Sequence, residues 1–218
     1  MTDVTALCVP CGTGQASIEW TLEMFRFVRT WPGHIAPMGV TRAPIDAARN
    51  TLVYQALNAK NMNATHVVFI DDDTIPCKGA AQRLFELGQT YDVAGLLAFR
   101  RTPPFTPCAF MQAHDDLYRT IDDVHDGVKA VDAIGMACSI VKRGVFEAFY
   151  ALQGFEKDRP KWFRFTQFGE DIQFCRDAKS MGYSVVVDTD FVCDHLGEPI
   201  RVNAQTWAAE KEKLRAAK

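Results

Sequence analysis

Residues 65–76 read Thr-His-Val-Val-Phe-Ile-Asp-Asp-Asp-Thr-Ile-Pro, an apolar, β-rich run followed by three consecutive carboxylates. Such a run is typical of a buried strand. Side chains alternate faces along an extended chain, so Asp71 and Asp73 are predicted to point one way and Asp72 the other. Two like charges about 6 Å apart, at an effective dielectric constant of about 20, repel by roughly 3 kcal/mol, a cost that a divalent cation would reverse. The stretch therefore predicts a metal site at a sheet edge.

The segments around this run alternate between strand-like and helix-like patterns. Strands are predicted at 4–10 and 92–99, and helices at 17–30, from Pro44 onward and at 78–88. Strands that alternate with helices in this way pair in parallel.

Beyond Arg100 three prolines interrupt the pattern, and shorter elements follow. Strands are predicted at 108–113, 117–121, 128–142 and 183–188, and helices at 143–152, from Gly169 onward and at 203–218, the last packing through Trp207 and Leu214. We expect one α/β domain over 1–218, with a mostly parallel central sheet flanked by helices and a mixed second half.

Composition excludes several classes of protein. The 218 residues carry a net charge of −3 and are 48% hydrophobic, so the chain can form a substantial core and has no global basic field for nucleic acid. No apolar run is long enough to span a membrane, and the first residues lack the pattern of a signal peptide, so we expect a soluble, cytoplasmic protein. Seven scattered cysteines predict free thiols, and Cys8-x-x-Cys11 has no partner motif that would complete a zinc site.

Five short motifs, taken in order, resemble those of the GT-A glycosyltransferases, in particular short, family-2-like members encoded in bacteriophage genomes. The motifs are Ala48-Arg49-Asn50, Phe69-Ile70-Asp71-Asp72-Asp73, Gly135-Met136-Ala137, Gly169-Glu170-Asp171 and Asp194-His195-Leu196-Gly197. Each motif alone is common, but the ordered set covers most of the chain. The resemblance implies a Rossmann-like GT-A domain, with a nucleotide-sugar half at 1–100, an acceptor and catalytic half at 101–200 and a terminal helix at 201–218.

The resemblance also implies a metal-dependent transfer from a nucleoside diphosphate sugar, first of all a UDP-sugar. It makes Asp73 the main ligand of Mn²⁺ or Mg²⁺, with Asp71 directed to the ribose or the metal, His195 as a further ligand and Asp72 as a donor contact. A divalent ion would stabilise the charge left on the diphosphate. A histidine at this position also has a purely structural reading.

The same resemblance makes Asp171 the general base, beside Glu170, and implies inversion at the anomeric carbon. The position is ambiguous, because a carboxylate at a helix N-terminus is stabilised in its charged form and is weakened as a base. Asp171 could instead be a simple helix-capping acid.

Donor contacts are expected from the turn after the first strand and from the second helix. Pro10, Gly12 and Thr13 carry no bulk that would block a nucleotide, although they could merely form a turn. Arg49 could bind a phosphate or form a surface salt bridge. Asn50 and Gly135 complete the predicted donor set.

Acceptor contacts are expected in a basic and aromatic loop. Its residues are Lys157, Arg159, Lys161, Trp162, Phe163, Arg164 and Phe165, with Arg100 and Arg101 as a second basic patch. This composition suits hydroxylated bases of phage DNA or a glycan, and equally a solvated loop with packed aromatic rings.

Rival functions remain open at the level of sequence. A nucleotidyltransferase would carry a basic residue soon after its glycine-rich loop, and residues 11–17 contain none. A glycosidase with paired carboxylates is also compatible with the acidic residues. So is a non-catalytic module that binds nucleotide-sugar or nucleic acid.

Overall fold

The protein is described by a computed structural model over residues 4–59, 62–114, 117–122, 124–152, 155–156, 160–197 and 201–216. The α-helices in these ranges are α1 Ile18–Thr30, α2 Ile45–Asn58, α3 Ala80–Thr90, α4 Arg143–Ala148, α5 Glu170–Ser180 and α6 Ala204–Ala216, with a 3₁₀ turn at Phe149–Ala151. The strands are β1 Val4–Cys11, β2 His34–Thr41, β3 Ala64–Ile70, β4 Thr74–Ile75, β5 Val93–Leu97, β6 Ala109–His114, β7 Leu117–Thr120, β8 Val128–Ala130, β9 Ala133–Ile134, β10 Cys138–Lys142, β11 Val185–Val192, β12 Asp194–Leu196 and β13 Arg201–Val202.

A seven-stranded sheet forms the centre of the molecule, in the order β2-β1-β3-β10-β5-β11-β8. The β1 strand pairs in parallel with β2 and β3, and β5 pairs in parallel with β11, while β10 and β8 run antiparallel to their neighbours. Five of the seven strands therefore point the same way, which confirms the predicted α/β class with a mostly parallel sheet.

Helices cover both faces of this sheet, and β3 contributes side chains to both cores. Val67 and Phe69 pack into a core shared with α2, α4 and α5, whereas Val68 and Ile70 pack into a core shared with α1 and α3. A strand buried on both faces reads as a continuous apolar run, which explains the sequence before the carboxylates.

Two further three-stranded sheets, β13-β12-β4 and β7-β6-β9, take all their strands except β4 from the second half of the chain. The first is important for the site, because β12 pairs with β4 so that His195 lies opposite Thr74. This pairing brings the end of the chain back to the residues that follow β3.

Three details of the predicted structure are wrong. The strand at His34–Thr41 was not predicted. It contains Pro37 and lies at the sheet edge, where proline is tolerated. Asp71–Asp73 do not continue β3 as an extended chain but form a turn closed by the Thr74 N–H and the Asp71 carbonyl. Leu214 does not help pack α6, since it is 42% exposed, whereas Trp207 is buried.

All seven cysteines are free thiols, as predicted. Within the described ranges, no helix combines the length and the apolar character needed to cross a bilayer.

Trp162, which we predicted to contact the acceptor, is instead a core residue. Its side chain is fully buried, and its indole N–H donates a hydrogen bond to the Phe146 carbonyl over 2.9 Å. A ring enclosed in this way cannot stack on a substrate, so the prediction is wrong for Trp162.

Replacement of Trp162 by alanine should destabilise the fold by about 3–5 kcal/mol, since it leaves a large cavity and an unpaired carbonyl. Phe165 in the same loop is 58% exposed, so Phe165→Ala should change stability by less than about 0.5 kcal/mol. Urea denaturation of both variants checks this. Equal destabilisation by the two substitutions would contradict the assignment.

Candidate active site

An open cavity of about 770 Å³ lies at the edge of the sheet where β1 and β3 end. Its lining includes Pro10, Gly12, Thr13, Asp71, Asp72, Asp73, Arg101 and His195. Carboxyl ends of parallel strands meet at one edge of a sheet, which is where ligands bind in open α/β folds. The fold therefore brings most of the predicted donor and metal residues together.

The turn after β1 presents backbone to the cavity. Gly12 has nothing within 4 Å of the position that a Cβ would occupy, and Gly14 has a φ of +73°. The Thr13 hydroxyl donates to the Gln15 carbonyl over 2.9 Å, and the Gly14 N–H donates to the Cys11 carbonyl over 3.3 Å. The turn is thus internally fixed and leaves room for a flat ligand.

The main chain of the Asp71–Asp73 turn is held from three sides. The Trp20 indole N–H donates to the Asp71 carbonyl over 2.8 Å, and the Asp71 N–H donates to the Ala137 carbonyl over 3.0 Å. The Leu196 N–H donates to the Asp73 carbonyl over 2.7 Å. The three carboxylates consequently leave the turn in fixed and different directions.

Asp73 faces the cavity and contacts His195 and Arg101. Its carboxylate lies 3.2 Å from His195 Nε2 and 2.8 Å from Arg101 Nη1. Burial alone would raise the pKa of Asp73, but the hydrogen bond and charge of His195 and the charge of Arg101 outweigh it, so the pKa is lowered. Asp73 is therefore ionised at neutral pH.

His195 is oriented from behind by the backbone. Its Nδ1 lies 2.7 Å from the Phe99 carbonyl, so Nδ1–H donates and Nε2 faces Asp73. Burial would lower the pKa of His195, yet the hydrogen bond to Asp73, its charge and the Phe99 carbonyl raise it. A backbone carbonyl on one ring nitrogen is the usual way to direct the other nitrogen at a metal.

Asp73 and His195 fit a divalent cation, whereas Asp71 does not. Asp73 offers a carboxylate and His195 a ring nitrogen on the cavity side, a donor pair suited to Mn²⁺. The Asp71 carboxylate is instead held by Arg49 at 3.0 Å. Among the described residues no group of three or more metal-ligating side chains is assembled. Two protein ligands are nevertheless enough where substrate phosphates and water complete the shell.

Arg49 occupies the interior of the site and not its surface. It is 3% exposed, and it lies 3.0 Å from Asp71 and 3.5 Å from Glu170. This position differs from both sequence-based expectations, since a buried arginine already shared by two carboxylates is neither a surface salt bridge nor directed at a phosphate.

Asp171 lies at the N-terminus of α5, beyond the N-cap residue Gly169. One carboxylate oxygen accepts from the Ile172 N–H over 2.7 Å, and a Cβ on Gly169 would lie 2.8 Å from the same oxygen. The other oxygen lies 3.8 Å from the position of a Cβ on Gly135. The absence of a side chain at Gly169 therefore leaves the space that the carboxylate occupies.

The electrostatic environment of Asp171 favours the neutral form of its carboxyl group. Burial raises its pKa, while the Ile172 N–H and the charge of Arg49 act in the opposite direction, and the net pKa is raised. Burial and the charge of Asp171 likewise raise the pKa of Glu170. Desolvation thus outweighs the helix N-terminus, and a carboxylate with a raised pKa is a better base.

Several predicted contacts have other partners. Asn50 donates from Nδ2 to the Phe163 carbonyl over 2.7 Å and accepts from the Phe163 N–H over 2.9 Å, so both ends of its amide hold the backbone of Phe163. Arg164 pairs with Asp177 at 2.6 Å. Lys161 and Arg100 are exposed, and Lys157 and Arg159 lie outside the described residues.

The sequence gives no sign of the contacts that two further residues make here. Arg101, which the sequence places only in a basic patch, lines the cavity and pairs with Asp73. Trp20 fixes the Asp71 carbonyl from α1. Neither contact has a local signal, because the partners lie 28 and 51 residues apart in the sequence.

No protein-family model matches the chain, and no curated protein matches it. Matches to solved structures include TarS of S. aureus in complex with UDP-GlcNAc, at 13% identity and a TM-score of 0.42 over 85% of this chain and 56% of that one. A second is a Drosophila β-1,4-galactosyltransferase 7 mutant with manganese, UDP-Gal and xylobiose, at 12% identity and a TM-score of 0.49, over 89% of this chain and 71% of that one. A further TarS structure matches at 12% identity and a TM-score of 0.44. The chain thus spans little more than half the length of the TarS structures.

Arg101 and a cation should compete for Asp73. An exposed ion pair contributes up to about 1 kcal/mol, so Arg101→Gln should tighten Mn²⁺ binding up to about fivefold in the absence of donor. Titration calorimetry with Mn²⁺ alone measures this. Arg100→Gln removes the same charge without touching Asp73, and an equal gain in that variant would contradict the competition.

Asp171→Asn should leave the fold at least as stable as the wild type at pH 7. Because the folded pKa is raised, the contribution of Asp171 to stability is fully present below its unfolded pKa of about 3.9 and is lost as pH rises through the folded pKa. Asparagine keeps the neutral form and the acceptor for Ile172. Thermal melts from pH 4 to 8 test this, and a variant that is less stable at pH 7 but equal at pH 4 would reverse the sign.

Proposed function

We propose that this protein is a metal-dependent glycosyltransferase that moves a sugar from a nucleoside diphosphate sugar to an acceptor hydroxyl. The observation that carries the proposal is that one edge of the sheet holds both an ionised Asp73 beside His195 and a second carboxylate, Asp171, with a raised pKa. The first is suited to a cation that binds a diphosphate, and the second to proton abstraction. Environments that push carboxylate pKa values apart assign different chemical roles to them.

The donor would lie in the cavity with its base against the turn of Pro10, Gly12 and Thr13. A UDP-sugar is the proposed donor, by resemblance of the motifs. Mn²⁺ or Mg²⁺ would be held by Asp73 and His195 and would act as a Lewis acid that stabilises charge on the leaving diphosphate. Asp72 remains a proposed donor contact. It lies beside the Cys11 thiol, whose pKa is raised mostly by burial and further by Asp72.

Asp171 would act as the general base. As the acceptor oxygen attacks the anomeric carbon, its proton passes to the Asp171 carboxylate, and the bond from that carbon to the diphosphate breaks. Attack from the face opposite the leaving group inverts the anomeric configuration. Glu170, held by Arg49, would contribute negative charge beside the base.

A saccharide is the acceptor that we propose. Trp162 and Phe163 are buried and Arg164 is paired, which removes two of the three aromatic rings and one of the cationic side chains that favoured DNA. Transfer to hydroxylated DNA that weakens steeply with added salt would overturn this choice, because phosphate contacts release counterions.

Product analysis separates the rival activities. Sugar transfer releases nucleoside diphosphate, nucleotidyl transfer releases pyrophosphate, and a glycosidase needs no nucleotide. We expect nucleoside diphosphate to appear only with a divalent ion present, and turnover to stop with a chelator and resume with Mn²⁺. Turnover that is unchanged by chelation would exclude the metal, and release of pyrophosphate would exclude sugar transfer.

Asp171→Asn should lower kcat by about 10²–10⁴-fold, the usual contribution of a general base, with little change in the affinity for nucleoside diphosphate. Asp132→Asn is a matched control, since Asp132 pairs with Lys179 in a different cavity. A folded Asp171→Asn enzyme with near-normal kcat would exclude Asp171 as the base.

A further inference from the structure

Arg49 is a deeply buried charge in contact with the site. Its Nη2 donates to Asp71 Oδ2 over 3.0 Å, and its Nε lies 3.5 Å from Glu170 Oε1. The guanidinium carbon is 5.3 Å from the centre of the Phe69 ring and 5.9 Å from that of Phe163. One side chain therefore joins the end of β3 to the start of α5.

The contacts of Arg49 are not those of an arginine that serves the fold alone. Its Nη1 is buried and makes no hydrogen bond within the described chain. Its Nε and Asp71 Oδ1 are also buried without a hydrogen bond of good geometry, although each lies within ion-pair distance of an opposite charge. Buried polar atoms that lack hydrogen bonds are costly, and an apolar side chain of similar size often stabilises such a position. A buried charge that costs stability points to a role at the two carboxylates that it contacts.

We propose that Arg49 is a positioning residue that holds the donor-side carboxylate Asp71 and the base-bearing N-terminus of α5 in one arrangement. This inference rests on the proposed function, and it replaces the expectation that Arg49 binds a phosphate. Arg49 touches neither donor nor acceptor; it acts through Asp71 on one side and through Glu170 and Asp171 on the other.

The charge of Arg49 also acts on the base. The groups that face Asp171 are Arg49 on α2, Asp71 at the end of β3, Glu170 and Cys175 on α5 and Cys108 ahead of β6. Burial and the negative charge of Asp71 raise the pKa of Asp171, and Arg49 lowers it. Loss of the guanidinium should therefore raise the pKa further and leave less of the base ionised at neutral pH.

The neighbouring Asn50 supports the same arrangement. Its amide makes two hydrogen bonds with the backbone of Phe163, and the Phe163 ring lies against the guanidinium. Arg49 and Asn50, consecutive residues of α2, therefore place the buried charge and hold the Phe163 ring beside it.

The test compares Arg49→Lys and Arg49→Gln with the wild type. Lysine keeps the charge but cannot reach both carboxylates, and glutamine removes the charge. We expect kcat to fall about 10-fold or more in Arg49→Lys with a smaller change in KM. We also expect the acidic limb of kcat/KM to move to higher pH in the order wild type, Arg49→Lys, Arg49→Gln, with the last shift about one pH unit.

Arg143→Lys is the control. The guanidinium of Arg143 also donates several hydrogen bonds, to the carbonyls of Leu57 and Ala64 and to the carboxylate of Glu147. It lies outside the cluster of site carboxylates. The control should lose stability without any shift of the acidic limb. If Arg49→Gln does not fold, as judged by circular dichroism, the comparison of Arg49→Lys with Arg143→Lys decides the matter.

A readout without turnover separates this inference from the proposed function. Carboxyl NMR titration of Asp171 should show a higher pKa in Arg49→Gln, or in Arg49→Lys if that alone folds, than in the wild type. Suppose that the wild type transfers sugar, but that the Arg49 variants shift neither the acidic limb of kcat/KM nor the pKa of Asp171. Arg49 is then only structural, and the inference is wrong. If the wild type transfers no sugar but the pKa of Asp171 rises in the Arg49 variants, the proposed function is wrong and the electrostatic coupling between Arg49 and Asp171 is confirmed.

Discussion

The site depends on an ion cluster buried beneath one edge of the sheet. Asp71 follows β3, and its carboxylate faces inward to Arg49, which is 3% exposed. An inward Asp71 fixes the start of the turn, and backbone bonds from Trp20, Ala137 and Leu196 fix the rest. With the turn held in this way, Asp73 must face outward into the cavity. The geometry of the proposed cation site is therefore set from below, by a pair that the cation does not touch.

Burial divides the carboxylates into two chemical classes. Asp73, in contact with His195 and Arg101, has a lowered pKa, whereas Asp71, Glu170 and Asp171 have raised pKa values because burial dominates. A cation needs an ionised ligand, and a base needs affinity for a proton. One sheet edge can meet both needs because the turn places Asp73 in the open cavity, whereas Asp171 lies at the desolvated start of α5.

The sequence predicted the elements of this site better than their contacts. The apolar run of β3, the helix that carries Arg49 and Asn50, and the helix that opens at Gly169 all follow from periodicity and composition. The directions of the three aspartates do not, because strand alternation does not apply once the chain turns at Asp71. The burial of Trp162 is also hidden, since a basic and aromatic loop gives no sign of which rings face inward. These properties are set by residues distant in the sequence, such as Phe146 and Trp20.

The burial of Arg49, by contrast, has a signal in the sequence of α2. Arg49 stands three, four and seven residues before Leu52, Val53 and Ala56, all of which are fully buried. Residues at this spacing share one helix face, so a charge at that position must be buried. A buried charge needs an opposite charge nearby. The strands β1 and β3 pack beside α2, and Asp71, directly after β3, provides such a charge for Arg49. The helix pattern therefore predicts that Arg49 is buried and needs an opposite charge, and the structure supplies two such charges, Asp71 and Glu170.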